Sequence, residues 1–212
     1  MTTDPLSDDG LDLVGLDLDG RYRIERYVGA GTMGSVYEAT QLAVGRRVAI
    51  KILNQALKTN NEVRERFRVE AQAIAALNHP NCITLFDFGY SDRLGALYMV
   101  IEYLDGTTLE DRLAADVPVQ ESLAIGHQVA DVLAQAHEAG ILHRDLKPEN
   151  VMLVAGSGTS PVVKVLDFGL ARIFQETGAD AARLTRQGQL FGTPAYMSPE
   201  QCSGVANVGP AA

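Results

Sequence analysis

Residues 143–150 read HRDLKPEN, and DFG follows at 167–169. Eight consecutive residues of such mixed chemistry rarely recur by accident, so this stretch outweighs every other in the chain. It offers a carboxylate that can accept a proton (Asp145), a lysine two positions on (Lys147), an amide oxygen (Asn150) and, in the second motif, a further carboxylate (Asp167). Hard oxygen donors of this kind suit a small divalent cation such as magnesium.

Upstream lie two stretches that supply what these groups lack. GAGTMG at 29–34, completed by Val36, has the form GxGxxGxV, in which glycines let backbone N–H groups come close to phosphates. Alone the pattern also fits a dinucleotide fold or an ordinary hairpin. A dinucleotide fold needs a helix directly after the loop, whereas Ser35–Ala39 continues as a strand and VAIK follows at 48–51, which favours a glycine flap over a nucleotide. Lys51 follows Val48, Ala49 and Ile50, and a lysine among such neighbours needs an anionic partner; Glu70 on the next helix is the natural candidate. The residues alone therefore supply a phosphate loop, an ion pair and two metal-competent carboxylates.

Residues 22–39 alternate apolar and polar side chains around the glycine cluster and predict two strands; 48–53 predicts a third. Val63, Phe67, Ile74 and Leu77 recur near helical spacing and predict an amphipathic helix over 62–77, stopped by Asn78, His79 and Pro80. Further strands are expected at 83–88 and 97–103. After Asp105-Gly106 the period changes, predicting a short helix and then a long one ending at Gly140, followed by loop and short strands with a hairpin turn at 155–160. The expected fold is α+β and two-lobed: a five-stranded antiparallel sheet with one helix over 21–104, then a mainly helical, incomplete lobe over 105–212.

Composition sets limits. The chain has 212 residues, 46% hydrophobic and 21% charged, ordinary for a globular protein. Of its net charge of −9, residues 1–20 contribute −6 through six aspartates, leaving −3 for the rest, so 1–20 is expected to be a solvated, disordered tail. No basic stripe suggests nucleic acid. Cys82 and Cys202 show no metal or disulfide spacing, and no signal sequence or membrane span is evident; a cytoplasmic location is expected.

From about Tyr27 to its end, through VGAGTMGSVYEA, VAIK, Glu70, EYLDG, HRDLKPEN, DFGLAR and GTPAYMSPEQ, the sequence resembles the bacterial eukaryotic-like serine/threonine protein kinases. The resemblance implies ATP and magnesium, with manganese as a substitute, and transfer of the γ-phosphoryl group to protein serine or threonine, including self-association for autophosphorylation. It implies that Asp145 deprotonates the acceptor hydroxyl, Lys147 neutralises the migrating group, Asn150 and Asp167 bind metal, and Lys51 pairs with Glu70. Val28, Gly29, Ala30, Gly31 and Gly34 would cover the nucleotide, with Val36, Ala49 and Met152 against the adenine faces. Glu102 and Leu104 would hold its edge beside Ile101, and Ile74, His143 and Phe168 would form an apolar stack. Arg144 would receive a phosphothreonine, with Thr185 the first candidate and Thr193 a structural contact.

Two departures stand out. SPE at 198–200 replaces the usual APE, and the helices that ordinarily follow are missing. The expectation is a fragment of an active kinase, with a nucleotide-binding interaction module as the alternative and a small-molecule phosphotransferase disfavoured by GTPAYMSPE. Glu200 is then expected to lack its arginine, and the 120s helix to lack cover on its apolar underside.

Overall fold

A computed structural model describes residues 13–31, 34–53, 61–156, 160–168, 194–202 and 209. The chain divides into two compact units, Met1–Ala71 with Thr84–Tyr103, and Gln72–Ile83 with Leu104–Ala212.

The first unit is built on an antiparallel sheet. Its strands are β1 (Asp17–Leu18), β2 (Tyr22–Gly31), β3 (Gly34–Gln41), β4 (Arg46–Leu53), β5 (Leu85–Ser91) and β6 (Ala96–Glu102), in the order β1-β2-β3-β4-β6-β5. Six strands replace the five expected, because β1 adds to the edge of β2. The expected tail accordingly does not extend to residue 20. Leu13 and Leu18 are 2% and 0% exposed and join Tyr22, Ile24, Ile50 and Val100 in one core. Burying two leucines outweighs the solvation of the aspartates beside them, which find partners of their own. Arg23 Nε donates to Asp17 Oδ1 at 2.8 Å, and the Tyr98 hydroxyl donates to Asp19 Oδ2 at 2.9 Å. Burial first, and Asp19 second, push the Tyr98 phenol up to about 12. Tyr22 donates to Asp87 Oδ2 at 2.7 Å, which Arg21 Nη1 also reaches at 2.6 Å, so this corner is fastened to β5.

Helix α1 (Asn61–Ala76) buries Val63, Phe67 and Ile74 of the predicted stripe and Ala71 besides, while Leu77, the fourth predicted position, is buried just past its end. Phe67 meets Phe88 of β5 edge-on at 5.9 Å.

The second unit contains β7 (Gly106–Thr108), α2 (Leu109–Leu113), α3 (Val119–Glu138), β8 (Val151–Val154), β9 (Val162–Val165) and α4 (Pro199–Cys202). Thr108 and Asp111 form a reciprocal capping box that starts α2. Gly140, at φ +73°, ends the turn after α3, and β8 and β9 pair antiparallel across the predicted hairpin. Residues 72–83, placed by sequence in the first region, belong with this unit because their bonds go there. Ile83 N donates to Val165 O at 3.0 Å and Val165 N to Asn81 O at 2.8 Å, while Asn81 Nδ2 reaches Gln128 Oε1 of α3 at 2.9 Å. The other face of α3 lines an apolar cavity of about 460 Å³ with Leu109, Leu113, Ile125, Val129, Leu133 and Tyr196. Among the described residues, no helix is long and apolar enough to cross a membrane.

Candidate active site

In the first unit, sheet alternation sorts the candidate residues onto one face. Val48, Ile50 and Ile52 point into the core with Tyr37, Ala39, Tyr98 and Val100. Side chains two apart share a face, so Ala49 and Lys51 point the other way. Val36 pairs with Lys51, Met99 with Lys51, and Ile101 with Ala49, which puts all five on that second face. Phe88 pairs with Met99, so α1, which meets Phe88 through Phe67, lies over the same face. Glu70 stands three residues beyond Phe67, on the side of α1 turned toward the sheet, and is half-buried. Lys51 is 8% exposed.

Gly29, Ala30 and Gly31 pair with Val36, Ser35 and Gly34 across the glycine turn, whose Thr32 and Met33 lie outside the described residues. The glycines differ in kind. A Cβ on Gly34, at φ +152°, would sit 2.0 Å from Ile52 O, so this position requires glycine. A Cβ on Gly29 or Gly31 would meet nothing within 4 Å. Val28 is 48% exposed at the same strand end. At the other end of the sheet, Glu102 Oε1 accepts from Thr84 N and Oγ1 at 2.8 and 2.9 Å. Leu104 is the first residue of the second unit there.

The second unit holds HRDLKPEN. Asp145 and Lys147 side chains are 11% and 12% exposed, with Lys147 Nζ 3.8 Å from Asp145 Oδ2. Asn150 Nδ2 donates to Asp145 O at 2.7 Å and to Asp145 Oδ2 at 3.2 Å. With its nitrogen so engaged, Asn150 turns its Oδ1 elsewhere, and that oxygen accepts no hydrogen bond among the described residues. Asn150 O in turn accepts from Leu166 N at 2.9 Å, which ties the loop to the residue before Asp167.

His143 completes the tie. Its Nδ1 accepts from Asp145 N at 3.3 Å, so the ring proton resides on Nε2, which donates to Leu166 O at 2.7 Å. Burial holds its basicity below that of an ordinary histidine, outweighing the nearby charges of Asp167 and Asp145. The ring centroid lies 4.8 Å from that of Phe168, tilted 58° to it, and Phe168 is fully buried. Ile74 is buried too, at 3% exposed. Arg144 and Asp167 both adopt left-handed backbone, at φ +64° and +58°, which costs a non-glycine residue roughly 1–3 kcal/mol and persists where surrounding bonds enforce it.

The donor set fits a divalent cation that a nucleotide helps to bind. No group of three or more His, Cys, Asp or Glu that would cage a metal unaided occurs among the described residues. An amide oxygen and a carboxylate with phosphate oxygens to complete the shell is the arrangement magnesium takes with nucleotides. Met152 follows on β8, half-buried. Gly169, Thr185 and Thr193 lie outside the described residues, and with them the expected phosphothreonine contact of Arg144. Glu200 has no ion-pair partner among the described residues. Gln201 was not anticipated: its Nε2 donates to Arg144 O at 2.8 Å. The S-x-x-Q spacing of 198–201 marks a helix start but not that reach.

The sequence profile of the protein kinase domain matches residues 22–211. The chain is 43% identical over 193 residues to the serine/threonine-protein kinase pkn3 of Myxococcus xanthus, covering 90% of this chain and 35% of that protein. It is 39% identical to the serine/threonine-protein kinase PrkC of Bacillus subtilis, covering 91% and 28%. It thus spans about a third of the length of these curated relatives. A solved double-mutant PknI kinase domain of Mycobacterium tuberculosis superposes with a TM-score of 0.72 at 32% identity, over 92% of this chain and 71% of that one. The chain belongs to the protein kinase family, among its bacterial serine/threonine members.

Proposed function

We propose that this chain carries the machinery for ATP-dependent phosphorylation of serine and threonine hydroxyls in proteins. The observation that carries it is the tethering of Asp145, Lys147 and Asn150 to one another and, through His143 and Leu166, to Asp167. Phosphoryl transfer demands little covalent chemistry from a protein; it demands positioning and charge stabilisation. Asp145 is held with one carboxylate oxygen toward Asn150 and Lys147, leaving it to orient and accept the proton of the acceptor hydroxyl. Lys147 supplies positive charge beside it, where negative charge builds on the migrating group. Asn150 Oδ1 and Asp167 would hold magnesium, which neutralises phosphate charge when bound. On the first unit, Lys51 with Glu70 would engage the phosphates under Gly29–Gly34, with Val36 and Ala49 against the base.

The test is incorporation of phosphate from Mg-ATP into a generic serine/threonine acceptor, with wild type beside Asp145→Asn. A loss of about 10²- to 10⁴-fold in the variant, with nucleotide binding kept, is expected for removal of a general base. Equal rates in the two proteins overturn the reading; binding of ATP by both without transfer would leave only the interaction module.

A further inference from the structure

We infer that Gln201 is a positioning residue for Asp145, a role that rests on the kinase reading above. The peptide joining Arg144 to Asp145 is a rigid plane, and both its polar ends are held. Gln201 Nε2 donates to the carbonyl, Arg144 O, at 2.8 Å, and the N–H, Asp145 N, donates to His143 Nδ1 at 3.3 Å. The next carbonyl, Asp145 O, receives Asn150 Nδ2 at 2.7 Å. Rotation of the first plane changes ψ of Arg144 and φ of Asp145 together, and with them the direction of the Asp145 Cα–Cβ bond. Arg144 sits at φ +64°, a conformation its own backbone disfavours, so a release of either end lets the plane turn toward a commoner one.

Gln201 is itself fixed. Its Oε1 accepts from Ser198 N at 3.0 Å and its N–H donates to Ser198 Oγ at 3.3 Å, a reciprocal capping box at the start of α4. Because Oε1 is taken by a donor, the amide cannot flip, and the nitrogen must face Arg144 O. One side chain therefore starts the short helix after Tyr196 and sets the plane that aims the base.

The two duties separate by mutation. Gln201→Glu keeps the capping acceptor but replaces the donor facing Arg144 O with an anionic oxygen. Ser198→Ala removes the cap oxygen and keeps the donor. The expected result for Gln201→Glu is a fall in kcat of about tenfold or more with KM for ATP within about twofold, since misplacing a reacting group costs turnover rather than binding. Amide exchange at Asp145 should quicken about tenfold with it, as its protecting bond to His143 loosens. Ser198→Ala should keep kcat within about threefold. Should Glu weaken the fold, Gln201→Lys restores a donor at this site and should exceed Glu in kcat. Unchanged kcat and unchanged exchange in Gln201→Glu would overturn the role, as would a loss confined to KM, an equal loss in Ser198→Ala, or Lys falling below Glu. Equal transfer by wild type and Asp145→Asn would overturn the kinase reading itself, and the positioning role with it.

Discussion

In the sheet of the first unit, Leu18, Ile24, Ile50 and Val100 are fully buried, and the strands around them carry their order through apolar contact. In the loop from His143 to Asn150 of the second unit, order comes instead from single polar atoms: one imidazole, one carboxamide of Asn150 and one of Gln201, each bonded to a backbone group. Apolar packing is non-directional and shared among many residues, so it fixes a fold robustly and a direction loosely. Hydrogen bonds are directional, and they can hold Arg144 and Asp167 in backbone that packing alone would let relax. The unit that must aim a carboxylate uses the second kind of restraint. Exposed ion pairs such as Arg68 with Glu65 belong to neither class, and screening leaves them little influence.

The sharpest way to break this contrast is a core truncation. Leu18→Ala should cost about 2–5 kcal/mol, the usual range for a fully buried leucine, and chemical denaturation would read it as a lowered midpoint with protection lost across β1 to β6. A loss below 1 kcal/mol, as an order of magnitude, would return residues 13–18 to the status of a tail. Next in size is Gly34→Ala, expected to destabilise by roughly 1–3 kcal/mol because its methyl collides with Ile52 O, whereas Gly31→Ala should leave the melting temperature unchanged. Equal effects at the two glycines would show that the turn, rather than the contact with β4, sets the requirement.

The smallest expected effect lies in the second unit and depends on pH. His143 is neutral in the fold and its affinity for a proton is depressed by burial. Above the unfolded pKa, about 6.5, both states are neutral and the group contributes no pH dependence. Below it, the unfolded chain binds a proton that the folded one refuses, so stability falls as pH drops. Wild type should lose ground to His143→Gln, which cannot titrate, between pH 7 and pH 5 in urea midpoints. Parallel curves would mean that His143 accepts its proton in place, and that the tie from Asp145 N to Leu166 O is weaker than its geometry implies.

Much of the fold was legible because it rests on period and punctuation. α3 follows from its spacing and from Gly140, and the hairpin of β8 and β9 from the small residues between them. Of the site, HRDLKPEN and DFG announce residue types but not restraints. Nothing in the one-dimensional string says that Arg144 is left-handed, because arginine has no preference for that region; its conformation is imposed by partners 57 positions away and nearer. Residues 72–83 were misplaced for a related reason: their helix begins in one unit, and only the long-range bonds of Asn81 and Ile83 reveal that they finish in the other. β1 was hidden by charge, since Asp12, Asp17 and Asp19 flank and separate a pair of core side chains, Leu13 and Leu18.

Of the six aspartates that make the first twenty residues look like solvent-seeking sequence, Asp17 and Asp19 hold Arg23 and Tyr98, while the leucines around them plug the end of a hydrophobic core. A shortened form begun at Tyr22, where the charge pattern changes, would discard a plug rather than a tag. Net charge in this chain marks which side chains meet water; it does not mark where the domain starts, and any fusion junction or cleavage site belongs before Leu13.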